Sequence, residues 1–199
     1  MQIELIQTHP DFQPLGGIAG IAVDLRYQGT DNFVNRNVYG TWDCAWLHRE
    51  AAAGLVKAVQ WLADHNHPVR LLILDALRPH RVQILLWEQL KGTGLQTYLA
   101  SPERGSIHSY GMALDVTLQD QHGHELDMGS GFDEMTPLSH PELEPLHLQH
   151  GLLTETQLTN RHLLRNAMLH GGFAGIRTEW WHFDFGHTEQ IRRFFERID

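Results

Sequence analysis

The chain switches its hydrophobic period from helical to strand-like and back between residues 48 and 92, and this constrains its fold more than any other feature. From about His48 to Asn66, the apolar residues Leu55, Val56, Val59 and Leu62 recur at helical spacing on one face, with Lys57 and Asp64 outside it. Val69 to Ala76 is then a short continuous apolar run bounded by Pro68 and Arg78-Pro79, which predicts a buried strand. A second helix is expected from near Pro79 to Gly92, because proline is tolerated in a first helical turn and glycine stops helices. Met112 to Gln119 reads as another strand, and the turn-prone Asp120-Gln121-His122-Gly123 leads into a returning segment, His124 to Met128. Thr154 and Gln157 have capping-box spacing at the head of a third helix that Gly171-Gly172 would end. Ile176 to Phe185 is strand-like, Thr188 to Ile198 is expected to be a short helix, and the Gly- and Asn-rich first forty residues predict irregular chain with short strands such as Ile18 to Tyr27. Hairpin-paired strands flanked by helices, without regular strand–helix alternation, predict a single α+β domain with a mainly antiparallel central sheet.

A length of 199 residues allows one domain with a sizeable core. The net charge of −9, with no run of lysine or arginine, repels phosphate backbones and argues against nucleic acid as a partner. No stretch approaches the roughly 20 apolar residues that span a bilayer, so no membrane partner is expected. Met1 to Ile6 lacks the basic start and apolar run of an export signal, and Cys44 is the only cysteine. The expected location is therefore the cytoplasm. Fifteen histidines are many for this length, and the question is which few belong to one constellation.

Two segments stand out: Ser106-Ile107-His108-Ser109-Tyr110-Gly111-Met112-Ala113-Leu114-Asp115, and Glu179-Trp180-Trp181-His182. Together they offer two imidazoles and two carboxylates. A hydrolytic zinc site needs three protein ligands and an open position. Two histidines and one carboxylate supply these, and the second carboxylate is left to move protons. Strand geometry imposes a condition. Steps of seven residues (His108 to Asp115) and three residues (Glu179 to His182) put side chains on opposite faces of a regular strand. His108 must then lie on a loop before its strand, which Gly111 permits, and the chain must twist near Trp180-Trp181. The alternative makes Asp115 a strand end, His108 a turn residue and the tryptophan pair plain core. His122 with His124, and His147 with His150, lack a third ligand and a base and are read as solvated.

The pattern Ser-x-His-x-x-Gly-x-Ala-x-Asp followed by Glu-Trp-Trp-His resembles the VanX-type D-alanyl-D-alanine dipeptidases, within a wider group of zinc peptidases that shares the hedgehog/D,D-peptidase fold. Asp24-Leu25-Arg26-Tyr27 with Asn32-Phe33, Asp75-Ala76-Leu77-Arg78-Pro79 and Met128-Gly129-Ser130-Gly131-Phe132-Asp133 extend the resemblance in the same order. It implies one zinc ion held by His108, Asp115 and His182, with Glu179 as catalytic base and acid. It further implies Arg78 as the group that steadies the oxyanion, and Ser106 and Asp133 as holders of the ammonium group of a small dipeptide substrate. Tyr110 and Met112 depart from the family pattern, and Tyr110 bears on which side chains fit. The other readings are a D,D- or L,D-carboxypeptidase acting on longer wall peptides, and a non-catalytic zinc-binding module of the same fold.

Overall fold

The computed structural model describes residues 1–199. In chain order its regular elements begin with β1 (Phe12–Pro14), β2 (Ile21–Val23), β3 (Trp46–His48), α1 (Arg49–Asp64), β4 (Val69–Asp75) and α2 (His80–Gln89). They continue with β5 (Ala113–Asp120), α3 (Glu144–Gln149), α4 (Glu155–His170), β6 (Phe173–Gly175), β7 (His182–Phe185) and α5 (Thr188–Phe194). Five strands form the main sheet in the order β2-β4-β5-β7-β6, in which only the β2–β4 pair is parallel. β1 and β3 make a small separate antiparallel pair. The α+β class and the mainly antiparallel sheet are as expected, and one continuous cluster of 39 buried residues runs from Ile3 to Ile198, so the chain packs around one core.

The central strands divide chemistry from packing by alternation. On one face Leu71 and Ile73 of β4 sit opposite Leu118 and Val116 of β5, and Leu114 sits opposite Phe183 of β7, all fully or almost fully buried. Each such aliphatic side chain contributes about 1.5–3 kcal/mol when it leaves water. The other face carries Thr117, Asp115, His182 and Asp184. A register shift between Ile73 and Asp75 then sets Asp75 rather than Leu74 opposite Asp115.

The helices differ from expectation in detail. The buried face of α1 is Ala51, Ala52, Leu55, Ala58 and Leu62, while Val56 is exposed. The small residues let α1 approach the end of α4 closely. A Cβ on Gly54 would lie 2.6 Å from the Gly171 carbonyl oxygen and 2.5 Å from the Phe185 ring. α2 starts after Pro79, as predicted, and α4 has the Thr154/Gln157 capping box with both bonds made. Helix α5 ends at Phe194, short of the expected Ile198. The last residues are held in extended chain instead, with Ile198 N–H donating to Ser109 O and His80 N–H to Ile198 O. Two strand predictions contract: β2 spans only Ile21–Val23, and within 176–185 only His182–Phe185 is strand. The segment 124–128 returns beside β5 through one isolated bridge, Gln119 with Glu125. His122 and His124 lie at a turn whose backbone N–H groups are fixed by Asp120. His147 corrects the solvated reading. It is buried, and its Nε2 bonds the Pro137 carbonyl at 2.8 Å, a second bond to an acceptor that also takes His140 N–H. No helix is long and apolar enough to cross a membrane.

Candidate metal centre and its pocket

His108 sits on a single 3-10 turn, Ile107–Tyr110, immediately before β5. Ser106 caps the turn through its Oγ, which accepts from His108 N–H at 3.3 Å. Gly111 ends the turn at φ +63°, where a Cβ would come within 2.5 Å of the Phe12 ring and 2.8 Å of His48 N. Only glycine fits both that dihedral and that contact. The turn breaks the strand alternation, so His108 faces the same side as Asp115. The second condition is met in the same way: Glu179, Trp180 and Trp181 lie in a bend, and β7 begins at His182, paired with Asp115. Trp181 is buried under Phe132 at 5.7 Å between ring centres.

Three donor atoms converge at this point. His108 Nε2 lies 3.2 Å from His182 Nδ1 and 3.3 Å from Asp115 Oδ1, and His182 Nδ1 lies 3.0 Å from Asp115 Oδ1. The outer nitrogens fix the tautomers. His108 Nδ1 donates to the Ala76 carbonyl at 2.8 Å, and His182 Nε2 donates to Asp184 Oδ1 at 2.9 Å. In the neutral rings both inner nitrogens are therefore lone pairs, and both face a carboxylate oxygen. Three acceptors in mutual contact repel one another unless a positive charge lies among them. Tetrahedral ligands about 2.0–2.1 Å from a zinc ion are separated from each other by roughly 3.3 Å, close to the spacings found. The residues fit a metal ion, and the bonds to Ala76 and Asp184 are the kind of outer support that orients histidine ligands.

Asp75 and Arg78 support the third donor. Asp75, fully buried, accepts from Tyr39 OH and from Arg78 Nε at 2.9 Å, with Arg78 Nη2 at 2.7 Å. Nη2 also reaches Asp115 Oδ2 at 3.3 Å, leaving Oδ1 for the histidines. Arg78 Nη1 donates to Gln83 at 3.0 Å, and its second N–H has no protein acceptor. Burial alone would lower the Arg78 pKa, but Asp75 and its neighbours hold it well above the usual range. Burial would likewise raise Asp115, yet His108 and His182 hold it far below the ordinary carboxylate range. For His182 the downward effect of burial is outweighed by Asp184 and Asp115.

All seven residues singled out from the sequence line one cavity of about 220 Å³, smaller than the 300–1,000 Å³ of drug-sized sites. Glu179 is buried and makes no hydrogen bond to the protein; burial, reinforced by Asp115 and Asp133, pushes it up to about 8. Asp133, at φ +58°, caps no helix. Its carboxylate accepts from Tyr27 OH at 3.1 Å and Phe33 N–H at 3.3 Å and makes no ion pair; burial and the charge of Asp115 push it up to about 7 against the opposing charge of Arg78. Tyr110 is buried outside the cavity wall. Sequence reasoning missed Asp184, Asp75 and Tyr27. Asp184 is two strand positions from His182 on the same face, and that spacing was the available signal.

A profile of the D-ala-D-ala dipeptidase family matches residues 11–198. A D-alanyl-D-alanine dipeptidase of Escherichia coli (strain K12) is 37% identical over 164 residues, covering 82% of this chain and 78% of the relative. One of Enterococcus faecium is 30% identical over 191 residues, covering 83% and 86%. Among solved structures, the LdcB LD-carboxypeptidase superposes with a TM-score of 0.49 at 13% identity, covering 93% of this chain and 73% of the other. With a match of this length and order, the chain belongs to the D-ala-D-ala dipeptidase family of metallopeptidases.

Proposed function

We propose that this protein hydrolyses D-alanyl-D-alanine with one zinc ion held by His108 Nε2, Asp115 Oδ1 and His182 Nδ1. The observation that carries the reading is the meeting of three acceptor atoms at 3.0–3.3 Å with both histidine tautomers fixed from outside. Zinc bound there supplies Lewis acidity, which acidifies water and polarises a peptide carbonyl. The other steps belong to the chain. Glu179, without a protein partner and raised to about 8, is tuned to take a proton from water and return it to the departing amine nitrogen as the C–N bond breaks. A cation among the three donors lowers Glu179 from that value and favours its basic form.

Arg78 holds Asp115 in place and has an Nη1 N–H free for the oxygen on which charge develops. Asp133 is a half-buried carboxylate with two neutral donors and no ion pair, a site that the substrate's ammonium group would complete. Ser106 holds the His108 turn, and its own hydroxyl proton is free to help orient the same end of the substrate. Behind Asp133, Tyr27 packs edge-on against Phe33 and Phe132, with centres 6.3 and 5.9 Å away. We read this aromatic wall as closing the amino end, which favours a dipeptide over a longer wall peptide. The test is a comparison of zinc-loaded and chelated protein on D-Ala-D-Ala, L-Ala-L-Ala and a pentapeptide ending in D-Ala-D-Ala. Zinc-dependent turnover of the first, well above the others, is expected; equal turnover of the pentapeptide would refute the closed amino end.

A further inference from the structure

Arg104 and Arg192 both line the metal-site cavity, yet neither forms an ion pair with a carboxylate of this chain. Arg192, on α5, is half-buried and spends only its Nε–H on the protein, donating to the Gly105 carbonyl at 3.2 Å. Burial, and next the like charge of Arg104, push its pKa down. Asp184 and Glu189 pull the other way without coming within ion-pair distance. Arg104 is exposed and Arg192 half-buried, both on the cavity wall and adjoining through Gly105, and an anion between such guanidinium groups takes charge-assisted bonds from each.

The cavity is electrically polarised in the same sense. On its Tyr27 side lies Asp133, a carboxylate that makes no ion pair. The arginine pair, whose neighbours are Gly105 and Asp184, occupies the side where α5 packs on the turn that carries His108. A zwitterionic dipeptide has the matching pattern: an ammonium at one end, a carboxylate at the other and the scissile carbonyl between them.

We propose that Arg104 and Arg192 form the subsite for the substrate's terminal carboxylate, so that the protein reads both charged ends of a free dipeptide. This rests on the dipeptidase reading given above. It follows that a peptide whose C-terminus is amidated binds poorly, because the guanidinium pair is then covered without being neutralised.

The test titrates the zinc-loaded full chain by calorimetry with a phosphinate analogue of D-alanyl-D-alanine, as the free acid and as the C-terminal carboxamide. The intact protein is expected to prefer the acid by a factor on the order of 10–100, the size of a charge-assisted hydrogen bond. Arg104→Gln and Arg192→Gln should each weaken the acid and leave the carboxamide unchanged, with zinc content intact. The double variant should lose the preference, and Arg192→Lys should keep part of it. Equal affinity for acid and carboxamide in the intact protein overturns the subsite, as does an equal loss for both forms in the variants, which would mean a merely structural role. Failure to bind either form overturns it too and, with no hydrolysis of D-Ala-D-Ala, counts against the dipeptidase reading itself. Binding without preference leaves that reading standing.

Discussion

Replacing Asp75 with Asn tests whether the buried pair beneath the metal site does what the geometry implies. Arg78 is buried and has two carboxylates, Asp75 at 2.7 Å and Asp115 at 3.3 Å. At an effective dielectric constant of about 20, contacts of those lengths carry about 6 and about 5 kcal/mol of gross attraction, so Asp75→Asn removes roughly half. Breaking a buried pair from one side typically costs about 3–5 kcal/mol. Because Arg78 keeps Asp115, the loss should fall at the low end, about 3 kcal/mol. With a slope of about 2–3 kcal/mol/M in urea, the unfolding midpoint then drops by roughly 1–1.5 M. A second effect follows from the same charge. Arg78, deprived of its nearer partner, draws Asp115 toward itself, and zinc affinity falls about 10–100-fold, as expected for loss of an outer support. Urea denaturation of the metal-free protein and zinc competition with a chromophoric chelator measure the two separately. An unchanged midpoint together with unchanged zinc affinity would refute the assignment of Asp75 as the counter-charge that frees Asp115 Oδ1.

Glu179→Gln should retain stoichiometric zinc and lower kcat by about 10²–10⁴-fold; near-normal turnover removes Glu179 from the proton path. His182→Ala should lose zinc and activity together, seen by metal analysis after gel filtration, and full zinc retention would exclude it as a ligand. Gly111→Ala should destabilise the protein by about 1–3 kcal/mol and weaken zinc binding as well, since a Cβ there would strike Phe12 and His48 N and displace the His108 turn; a thermal melt and a zinc titration read both. Glu179 and Asp133 have folded-state pKa values raised to about 8 and about 7. Their stabilising contribution is therefore complete below about pH 4 and disappears as pH rises through 7 to 8, and raised His182 acts in the same direction. Metal-free protein should accordingly lose more than about 1.4 kcal/mol between pH 5 and pH 9, with a smaller loss in Glu179→Gln; a flat or rising profile contradicts the burial of uncompensated carboxylates.

Much of the site was legible because strand alternation is arithmetic. An odd step between His108 and Asp115 cannot share a face in a regular strand, so the sequence itself demanded a turn before β5, and Ser106 and Gly111 stand where such a turn needs its cap and its left-handed residue. The same argument demanded a break at Glu179–Trp181, although nothing in the residues showed whether a bend or a twist would supply it. The α1 helix was found, but its face was misjudged: valine outranks alanine in hydrophobicity, while the approach to Gly171 selects the small residues. The burial of His147 is hidden from the sequence because its acceptor, the Pro137 carbonyl, lies ten residues away on a short 3-10 turn that no helical or strand period connects to it.

The supporting residues were hidden for a deeper reason. Asp75 opposes Asp115 only because the register slips between Ile73 and Asp75; in regular pairing Leu74 would stand there and the carboxylate would point into the helix-covered core. That one slip adds Asp75 to a region that also holds Asp115, Asp133, Glu179 and Asp184, with Arg78 as its deeply buried guanidinium. Such an excess of negative charge is tolerable only with compensation. Burial and the neighbouring carboxylates raise Glu179 and Asp133, and for His182 the carboxylates of Asp184 and Asp115 outweigh burial, so positive charge or protons are favoured at this site. A divalent ion held by His108, Asp115 and His182 would supply that charge and would favour the ionised form of Glu179. The acidity that favours a cation at these three donors would thus also serve the proton-transfer role proposed for Glu179.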